Sequence, residues 1–317
     1  YADQIERIEA RPRLRTVPGE DNMLTYSPKG VCAVIAPWAF PLAILSGMTS
    51  AALGAGNTVV IKPARQASVV AAKLVEILHD VGFPPGVVNF LPGIGAVVGQ
   101  HLVEHVDVPV VAFTGSRDVG VQVLAAGARV RPGQAFIRKM IVEMGGKNAI
   151  IVDDDADLDV AVQAVIESAF SFAGQKCSSC SRVIVLSGVY ETFAERLREA
   201  VESLIIGPAE EPSTIVGPVI DAEARQRMED YLALGRSVGR AGAVAPLPAG
   251  CRDGYFVAPT VFLDVPAEAR IAQEEIFGPV AAMIRARDFD HALEIANGTC
   301  YALTGGLYSR SPAHIEQ

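Results

Sequence analysis

Residues 30–61 contain no charged side chain, and this feature constrains the fold more than any other. A stretch of this length could cross a bilayer, which requires about 20 apolar residues. It is divided into short pieces by Pro37, Pro41, Gly47, Gly54, Gly56 and Asn57. Strands buried on both faces of a parallel sheet are uniformly apolar in the same way. The stretch therefore predicts a buried strand–helix–strand unit and no membrane span.

The same alternation of strands and helices continues along the chain. Strands are predicted at 31–36, 58–61, 87–91, 110–113, 149–152 and 183–186, and two further pieces of unassigned type at 257–262 and 280–284. Helices are predicted at 42–53, 68–81, 97–106, 119–126, 156–172, 190–204, 222–235 and 289–297. This order is typical of an α/β fold whose parallel strands are joined by crossover helices. Before it, residues 1–10 predict the end of a helix, and residues 14–26 predict a β-hairpin around a turn cluster.

Composition narrows the classes of function. Half of the residues are apolar and 20% are charged, which fits a globular chain rather than a disordered one. The formal net charge of −9 comes without a basic stripe, so we expect no nucleic-acid partner. Five cysteines are too few and too scattered for a secreted disulfide framework. We therefore expect a reduced, cytoplasmic protein.

Cys177 is the first candidate for chemistry. It lies in a polar, glycine-containing loop after a predicted helix and before an apolar strand, a position typical of nucleophiles. The adjacent Lys176 could favour the reactive thiolate. The alternative is a small buried side chain, and the local sequence leaves both open. Cys180 completes a C-x-x-C pair, but the strand that follows argues against a redox motif, and we expect Cys180 to be a packing residue.

A short motif resembles a zinc site. His101, Glu104 and His105 match the H-x-x-E-H pattern, yet no third ligand is identifiable. A solvated helix face explains the motif more simply, and we expect no metal ion.

Two glycine-rich segments, 91–99 and 113–120, each follow a predicted strand and open a helix. Free backbone N–H groups and the positive helix end at such a turn favour a diphosphate. Neither segment has the G-x-G-x-x-G fingerprint, so a single one would be an ordinary turn; together they favour a nucleotide site.

Glu143 ends an apolar strand just before two glycines. Partial burial would raise its pKa and suit it to act as a base, while a salt bridge with Lys147 is the alternative. The pattern alone does not choose between them.

Together, several segments resemble the aldehyde dehydrogenase superfamily in the order that the family shows. They are Ala36-Pro-Trp-Ala-Phe-Pro41, Gly56-Asn-Thr-Val-Val-Ile-Lys-Pro63, Phe113-Thr-Gly-Ser116, Glu143-Met-Gly-Gly-Lys147, Gly174-Gln-Lys-Cys177 and Glu274-Glu-Ile-Phe-Gly-Pro279. Residues 174–182 and 289–297 most resemble the 1-pyrroline-5-carboxylate (glutamate γ-semialdehyde) dehydrogenases of proline catabolism. The resemblance implies a Rossmann-like cofactor domain and an α/β catalytic domain.

The resemblance also implies roles. Cys177 would attack an aldehyde, NAD would accept a hydride, and Glu143 would activate the water that hydrolyses the resulting thioester. Ser178 would contact the substrate carboxylate. The cofactor would be held by Trp38, Lys62, Gly95, Gly115, Ser116, Gly120, Glu275 and Phe277.

Two residues depart from the family pattern. Ala39 stands where the family has an asparagine whose amide donates to the oxyanion, which predicts a slow or inactive enzyme. Arg65 stands where many relatives have a glutamate that binds ribose hydroxyls, so NADP is an alternative to NAD.

The implied organisation is a helix end of the cofactor domain at 1–13, an oligomerisation hairpin at 14–28, a dinucleotide-binding domain at 29–145 and an incomplete catalytic domain at 146–317. The resemblance implies that both terminal segments of the family are missing from this chain, and we expect either a fragment or a reduced relative. We expect oxidation of a small aldehyde, here glutamate γ-semialdehyde, and a homo-oligomer when complete. The alternatives are a cofactor-independent esterase or thioesterase, and an inactive nucleotide-binding fragment.

Overall fold

The computed structural model describes residues 2–10 and 17–317, and the chain divides into two compact units. Unit 1 is Tyr1–Met144 and unit 2 is Gly145–Gln317.

Unit 1 is a five-stranded sheet with helices on both faces. Its strands are β1 (Val31–Ile35), β2 (Thr58–Lys62), β3 (Val88–Phe90), β4 (Val110–Thr114) and β5 (Lys139–Glu143). Its helices are α1 (Ala2–Glu9), α2 (Ala43–Gly54), α3 (Ser68–Asp80), α4 (Gln100–Glu104) and α5 (Arg117–Gly127). All strand pairs are parallel, in the order β3-β2-β1-β4-β5. The order reverses between β1 and β4, which is a topological switch point.

The packing of β1 explains why its sequence is uniformly apolar. Cys32 and Val34 face one core, with α2 and α3, while Ala33 and Ile35 face another, with α4. A strand covered on both faces has no solvent side, so each position favours an apolar side chain.

Unit 2 contains a six-stranded sheet. Its strands are β6 (Asn148–Val152), β7 (Cys180–Leu186), β8 (Arg240–Val244), β9 (Thr260–Leu263), β10 (Val280–Ala286) and β11 (Gly305–Tyr308). Its helices are α6 (Leu158–Phe170), α7 (Tyr190–Glu202), α8 (Ala222–Val238), α9 (Arg270–Gln273), α10 (Phe289–Asn297) and α11 (Pro312–Glu316). The order is β11-β6-β7-β10-β9-β8, and only the β8–β9 pair is antiparallel.

The predicted strands and helices are present, with ends that differ by a few residues. The helix predicted at 97–106 instead begins as a wide π turn, Gly95–Gly99, which continues into the short α4. Two glycines in that turn disfavour a regular helix start. The sequence did not predict β8, β11, α9 or α11.

The hairpin predicted at 14–26 lies partly outside the described residues, because 11–16 are not described. Its described part contains a turn at Pro18 and Gly19 and no strand. Two paired strands without a third are only marginally stable, so the local turn pattern does not suffice to form them. The described residues also include no helix that is long and apolar enough to cross a membrane.

Candidate active site

The carboxyl edge of the unit 1 sheet holds most of the residues predicted to bind a cofactor, together with the predicted base Glu143. Trp38 follows β1, Lys62 ends β2, Gly95 follows β3, Ser116 follows β4, and Glu143 ends β5. They meet at one edge because all five strands run in the same direction. In open parallel sheets, ligands bind outside this edge, at the switch point.

Lys62 is a buried cation at this edge. Its side chain is 6% exposed, and its Nζ donates to the carbonyl of Pro63 at 3.0 Å. Burial lowers its pKa. The stem of Lys62 lies beside Gly99, within the turn that starts at Gly95. A Cβ added at Gly95 would meet no protein atom within 4 Å, so open space adjoins this backbone. A buried ammonium beside a glycine turn with open space in front of it is an arrangement suited to bind a nucleotide.

The second glycine-rich segment forms the start of α5. Ser116 caps the helix, and its Oγ accepts the N–H of Val119 at 3.5 Å. Gly120 lies one turn further on, where a Cβ would lie 2.6 Å from the side chain of Met144. Glycine is therefore required for α5 to pack closely on the sheet. A capped helix that begins beside the switch point presents its positive end there.

The loop after β1 holds Ala39, one of the two residues that depart from the family pattern. Ala39 is 6% exposed, so its methyl group is buried, and it supplies no side-chain donor. The next residue, Phe40, has a φ of 48°. A left-handed phenylalanine is a strained conformation, typical of backbone that surrounds a functional site.

Glu143 is exposed, which corrects the expected partial burial. It ends β5, an edge strand whose side chains alternate between exposed and half-buried. Lys139 and Ile141 share its exposed face, whereas Met140 and Val142 pack on the core. The prediction treated the strand as apolar on both faces; at the edge of the sheet one face is open.

In unit 2, a strained turn precedes Cys177. Phe172, Ala173 and Gly174 have φ values of 55°, 53° and 67°, all left-handed. A Cβ at Gly174 would collide with the carbonyl oxygen of Gly278, so glycine is required there. The side chain of Gln175 fixes the turn further, because its Oε1 accepts the N–H of Ile220 at 2.8 Å.

Cys177 itself is half-buried, in a turn where the N–H of Ser179 donates to the carbonyl of Lys176 at 3.1 Å. The loop position predicted from the sequence is confirmed. The ammonium of Lys176 donates to Ser171 Oγ at 2.6 Å and to the carbonyl of Glu167 at 3.3 Å. These two hydrogen bonds fix the ammonium of Lys176, the group that was predicted to favour the thiolate.

Asn148 connects this turn to the sheet. Its Nδ2 donates to the carbonyls of Cys177 at 2.7 Å and Ser179 at 2.9 Å. Its Oδ1 accepts the N–H of Thr304 at 3.1 Å. The side chain is 4% exposed, and these three bonds satisfy it.

The side chain of Glu275 contacts the backbone just before Asn148. The N–H of Gly146 donates to its Oε1 at 3.1 Å, and a Cβ at Gly145 would collide with both carboxylate oxygens. Burial raises the pKa of Glu275, while that hydrogen bond and the charges of Lys147 and Arg227 oppose the shift. The segment 145–148 therefore holds the predicted ribose ligand, Glu275, near one end and the backbone of Cys177 at the other.

Lys147, within that segment, is 2% exposed, and its Nζ has no hydrogen-bond partner within residues 2–10 and 17–317. Burial and the nearby charge of Arg182 lower its pKa to about 7, against the attraction of Glu275.

The other predicted unit 2 residues flank this arrangement. Ser178 is exposed on the turn, and Phe277 is half-buried with a φ of 59°. Phe277, with its positive φ, immediately precedes Gly278. The carbonyl of Gly278 lies against Gly174.

The remaining cysteine and histidine motifs have structural explanations. Cys180 is fully buried, and burial raises its pKa to about 12, as expected of a packing residue. Glu104 forms a 2.8 Å ion pair with Arg131. Within the described residues, the only group of three potential ligands close enough for a metal is Asp153, Asp154 and Asp155.

Sequence reasoning missed Asn148 and Gln175 and assigned Lys147 only a surface salt bridge. For Asn148 there was a signal: it is an amide side chain immediately before four apolar residues of a buried strand. A polar group there requires buried partners. The partners themselves come from turns distant in sequence and were not predictable.

Comparison with known proteins identifies the family. The sequence model of the aldehyde dehydrogenase family matches residues 1–317. The chain belongs to the aldehyde dehydrogenase family. The α/β fold expected from the sequence is thereby confirmed.

Among curated relatives, 1-pyrroline-5-carboxylate dehydrogenase of Geobacillus thermodenitrificans is 48% identical over 320 aligned residues. The alignment covers 100% of this chain but 61% of that protein. This chain thus spans about three fifths of the length of the curated relatives that it matches.

Solved structures are similar to this chain in both sequence and fold. The Thermus 1-pyrroline-5-carboxylate dehydrogenase with bound NAD is 49% identical, with a TM-score of 0.95 over 99% of this chain and 60% of that one. Proline utilization A from Bdellovibrio bacteriovorus is 51% identical, also with a TM-score of 0.95, over 98% of this chain and 32% of that one.

Proposed function

We propose that this chain carries the cofactor-binding and nucleophile-bearing parts of an NAD-dependent dehydrogenase that oxidises glutamate γ-semialdehyde to glutamate in proline degradation. The observation that carries the proposal is the segment 145–148, which holds the carboxylate of Glu275 and the backbone of Cys177. The names of the relatives support the substrate, and the NAD in the Thermus structure supports the cofactor.

Cofactor binding is assigned to two sets of residues. In unit 1, Lys62 would bind the adenosine ribose, Gly95 would allow the adenine to approach, and Gly115, Ser116 and Gly120 would hold the diphosphate. Trp38 would line the cofactor cleft. In unit 2, Glu275 would bind the nicotinamide ribose and Phe277 would pack beside it. The buried ammonium of Lys62 and the open space at Gly95 support this assignment.

The proposed chemistry begins at the thiolate of Cys177, which forms a carbon–sulfur bond to the aldehyde carbon. NAD, when bound, supplies the acceptor for the hydride that leaves this carbon. The resulting thioester remains on Cys177. Glu143 takes one proton from water as the water attacks the thioester carbon, and the carbon–sulfur bond breaks to release the thiolate and a carboxylic acid. The acid then loses its proton to solvent and leaves as the carboxylate. Ser178 would contact the substrate carboxylate.

Two details of the chain modify this proposal. With Ala39, the oxyanion has the backbone N–H of Cys177 as its donor but no amide side chain, so we expect slow turnover. Arg65 is exposed at the start of the 3-10 turn Arg65–Ala67, shortly after Lys62, where a cation would favour the 2′-phosphate of NADP. NAD remains the first choice.

The organisation proposed from the sequence also remains a proposal. It assigns 1–13 to a helix end of the cofactor domain, 14–28 to an oligomerisation hairpin, 29–145 to dinucleotide binding and 146–317 to catalysis. It includes a homo-oligomer and a cytoplasmic location; the small number and wide scatter of the cysteines in the sequence support a reducing compartment.

The test is an absorbance assay for NADH with glutamate γ-semialdehyde and simple aliphatic aldehydes. Cys177→Ser should abolish NADH formation, while Cys300→Ser, which changes an exposed cysteine, should retain it. Ester hydrolysis without NADH formation would contradict the proposal and favour an esterase. Nucleotide binding without either activity would favour a binding fragment.

A further inference from the structure

The amide of Asn148 fixes the turn that carries Cys177. The turn runs from Lys176 to Ser179 and closes through its own backbone hydrogen bond at 3.1 Å. The Nδ2 of Asn148 also donates hydrogen bonds to the carbonyls of Cys177, at 2.7 Å, and Ser179, at 2.9 Å. The carbonyls of Lys176, Cys177 and Ser179 therefore all have assigned donors. A peptide plane whose carbonyl is held cannot rotate freely, so the N–H groups of the turn are oriented as well.

The backbone pairing of β7 with β6 does not hold the turn in place. In the β6–β7 ladder, Asn148 opposes Cys180 and Ala149 opposes Arg182, so Ser181 is an extra residue in β7. Such a bulge interrupts the ladder of backbone hydrogen bonds at the point where β7 leaves the turn. The side chain of Asn148 supplies the connection to β6 that regular pairing would otherwise provide.

The amide of Asn148 has one possible orientation. The N–H of Thr304 donates to Oδ1, while Nδ2 faces two acceptors. A flipped amide would place a donor against the N–H of Thr304 and an acceptor against two carbonyls. Each reversed contact would leave a buried polar group unsatisfied.

We propose that Asn148 is a positioning residue for the nucleophile: its amide sets the backbone of Cys177 and thereby the reactivity of the thiol. This inference deepens the proposed function and rests on the assignment of Cys177 as nucleophile. Asn148 acts through the turn and not on the substrate.

The test substitution is Asn148→Asp, which keeps the shape but turns a donor into a charged acceptor facing two carbonyls. Asn148 lines a cavity of about 320 Å³, so water can reach the new carboxylate. Asn89→Asp is the matched control, because Asn89 Nδ2 also donates to two carbonyls, those of Val59 at 3.1 Å and Gly86 at 2.9 Å.

The measurement is the rate of alkylation by iodoacetamide as a function of pH, resolved by peptide mapping. It requires no cofactor and no turnover. Cys300, which is exposed, serves as an internal reference in every sample. The circular dichroism of each variant shows whether it has folded.

In Asn148→Asp, the pH midpoint of Cys177 alkylation should rise by about one unit, since a negative charge near a thiol disfavours the thiolate. Below the midpoint, this is roughly a tenfold slower reaction. Cys300 should be unaffected, and Asn89→Asp should leave both profiles unchanged. An unchanged Cys177 profile in Asn148→Asp would overturn the inference, as would an equal change in Asn89→Asp.

A second variant covers the case in which Asn148→Asp does not fold. Asn148→Ser removes the amide without adding charge. It should increase the hydrogen exchange of the Ser179 amide, which closes the turn, at least tenfold relative to the amides within α7. Exchange at Ser179 equal to that of the unsubstituted chain would contradict a positioning role.

Turnover separates this inference from the proposed function. Where the unsubstituted chain makes NADH, Asn148→Ser should lower kcat and leave KM for NAD unchanged. Where it makes none, the proposed activity fails, and the alkylation profiles still decide the role of Asn148.

Discussion

Residue 39 is the point at which a single side chain should limit the rate. The methyl group of Ala39 is buried, and the proposed function places this residue where an oxyanion donor would stand. One such donor contributes about 10²–10³ in rate. We expect Ala39→Asn to raise kcat by about 10²-fold in the NADH assay.

Ala39→Leu is the control, because leucine is close to asparagine in size but donates no hydrogen bond. It should leave kcat at or below the original value. Equal rates for Ala39→Asn and the unsubstituted chain would show that oxyanion stabilisation does not limit turnover.

Lys147 should make the stability of unit 2 depend on pH. Its pKa falls from 10.5 in the unfolded chain to about 7 in the folded one, first because of burial. Between these values the unfolded state binds more protons, so stability rises as the pH rises from 7 towards 10.5. One proton contributes a slope of at most about 1.4 kcal/mol per pH unit.

Hydrogen exchange of β6 and β7 amides, corrected for the intrinsic pH dependence, measures this effect. Trp38, the only tryptophan, lies in unit 1 and cannot report on it. Lys147→Met should reduce the rise in protection between pH 7 and 9, whereas Lys73→Met, at an exposed lysine, should not. If protection rises by the same amount in Lys147→Met, the pH dependence must come from other groups.

At the scale of secondary structure, Arg182 joins three elements. Its guanidinium donates to the carbonyl of Lys147 at 2.8 Å and to those of Ile295 and Ala296, at the end of α10, at 2.7 and 2.8 Å. The last carbonyls of a helix have no partner within the helix, so Arg182 caps α10 from β7.

Removing that cap should destabilise unit 2. Arg182→Leu leaves buried carbonyls without donors, and we expect a loss of roughly 3 kcal/mol in the free energy of unfolding. Arg198→Leu, which removes an exposed, 3.9 Å contact with Glu195, should cost under about 0.5 kcal/mol. Hydrogen exchange measured at increasing denaturant concentration compares the free energies of unfolding of the two variants. Similar losses in both would refute the capping role.

The short helix α11 should be held most firmly in mildly acidic solution. Asp153, fully buried, accepts hydrogen bonds from Ser309 Oγ at 2.7 Å and from His314 Nδ1 at 2.5 Å. The bond to Asp153 raises the pKa of His314 above 6.5, so its contribution is complete below pH 6.5 and is lost as the pH rises through the raised value. Burial alone would raise the pKa of Asp153, but its hydrogen bonds outweigh this and lower it below 3.8.

We therefore expect amide protection in α11 to be greatest between about pH 4 and 6.5 and to decline above that range. His314→Gln should remove the decline. Hydrogen exchange corrected for intrinsic rates measures it, and a decline that persists in the variant would exclude His314 as its cause.

The elements that sequence reasoning found and missed differ in composition. Apolar strands such as β1 and β4 were predicted, since burial on both faces leaves a continuous apolar run. β11 (Gly305–Tyr308) was missed because its two glycines contribute no apolar pattern; parallel pairing with β6 forms it. Glu143 lies where expected along the chain, but its exposure depends on β5 being an edge strand, which strand order alone determines.

For the whole molecule, cofactor binding should appear as added stability. A ligand that binds only the folded chain stabilises it by about 2.7 kcal/mol when present at 100 times its Kd. We expect NAD to raise the midpoint of thermal unfolding, and Lys62→Met to reduce the rise at equal NAD concentration. The same measurement with NADP decides the cofactor. A larger rise of the unfolding midpoint with NADP than with NAD, abolished in Arg65→Glu, would make NADP the preferred cofactor.

The three left-handed residues ahead of Cys177 also restrict how this chain can diverge. The carbonyl oxygen of Gly278 occupies the space that a side chain at Gly174 would need, and Phe277 beside it is itself left-handed. Substitutions at these positions are tolerable only when both stretches of backbone shift together. A mutational library selected for folded protein should therefore retain glycine at 174 in nearly every survivor, and its exceptions should carry a second change at 277 or 278.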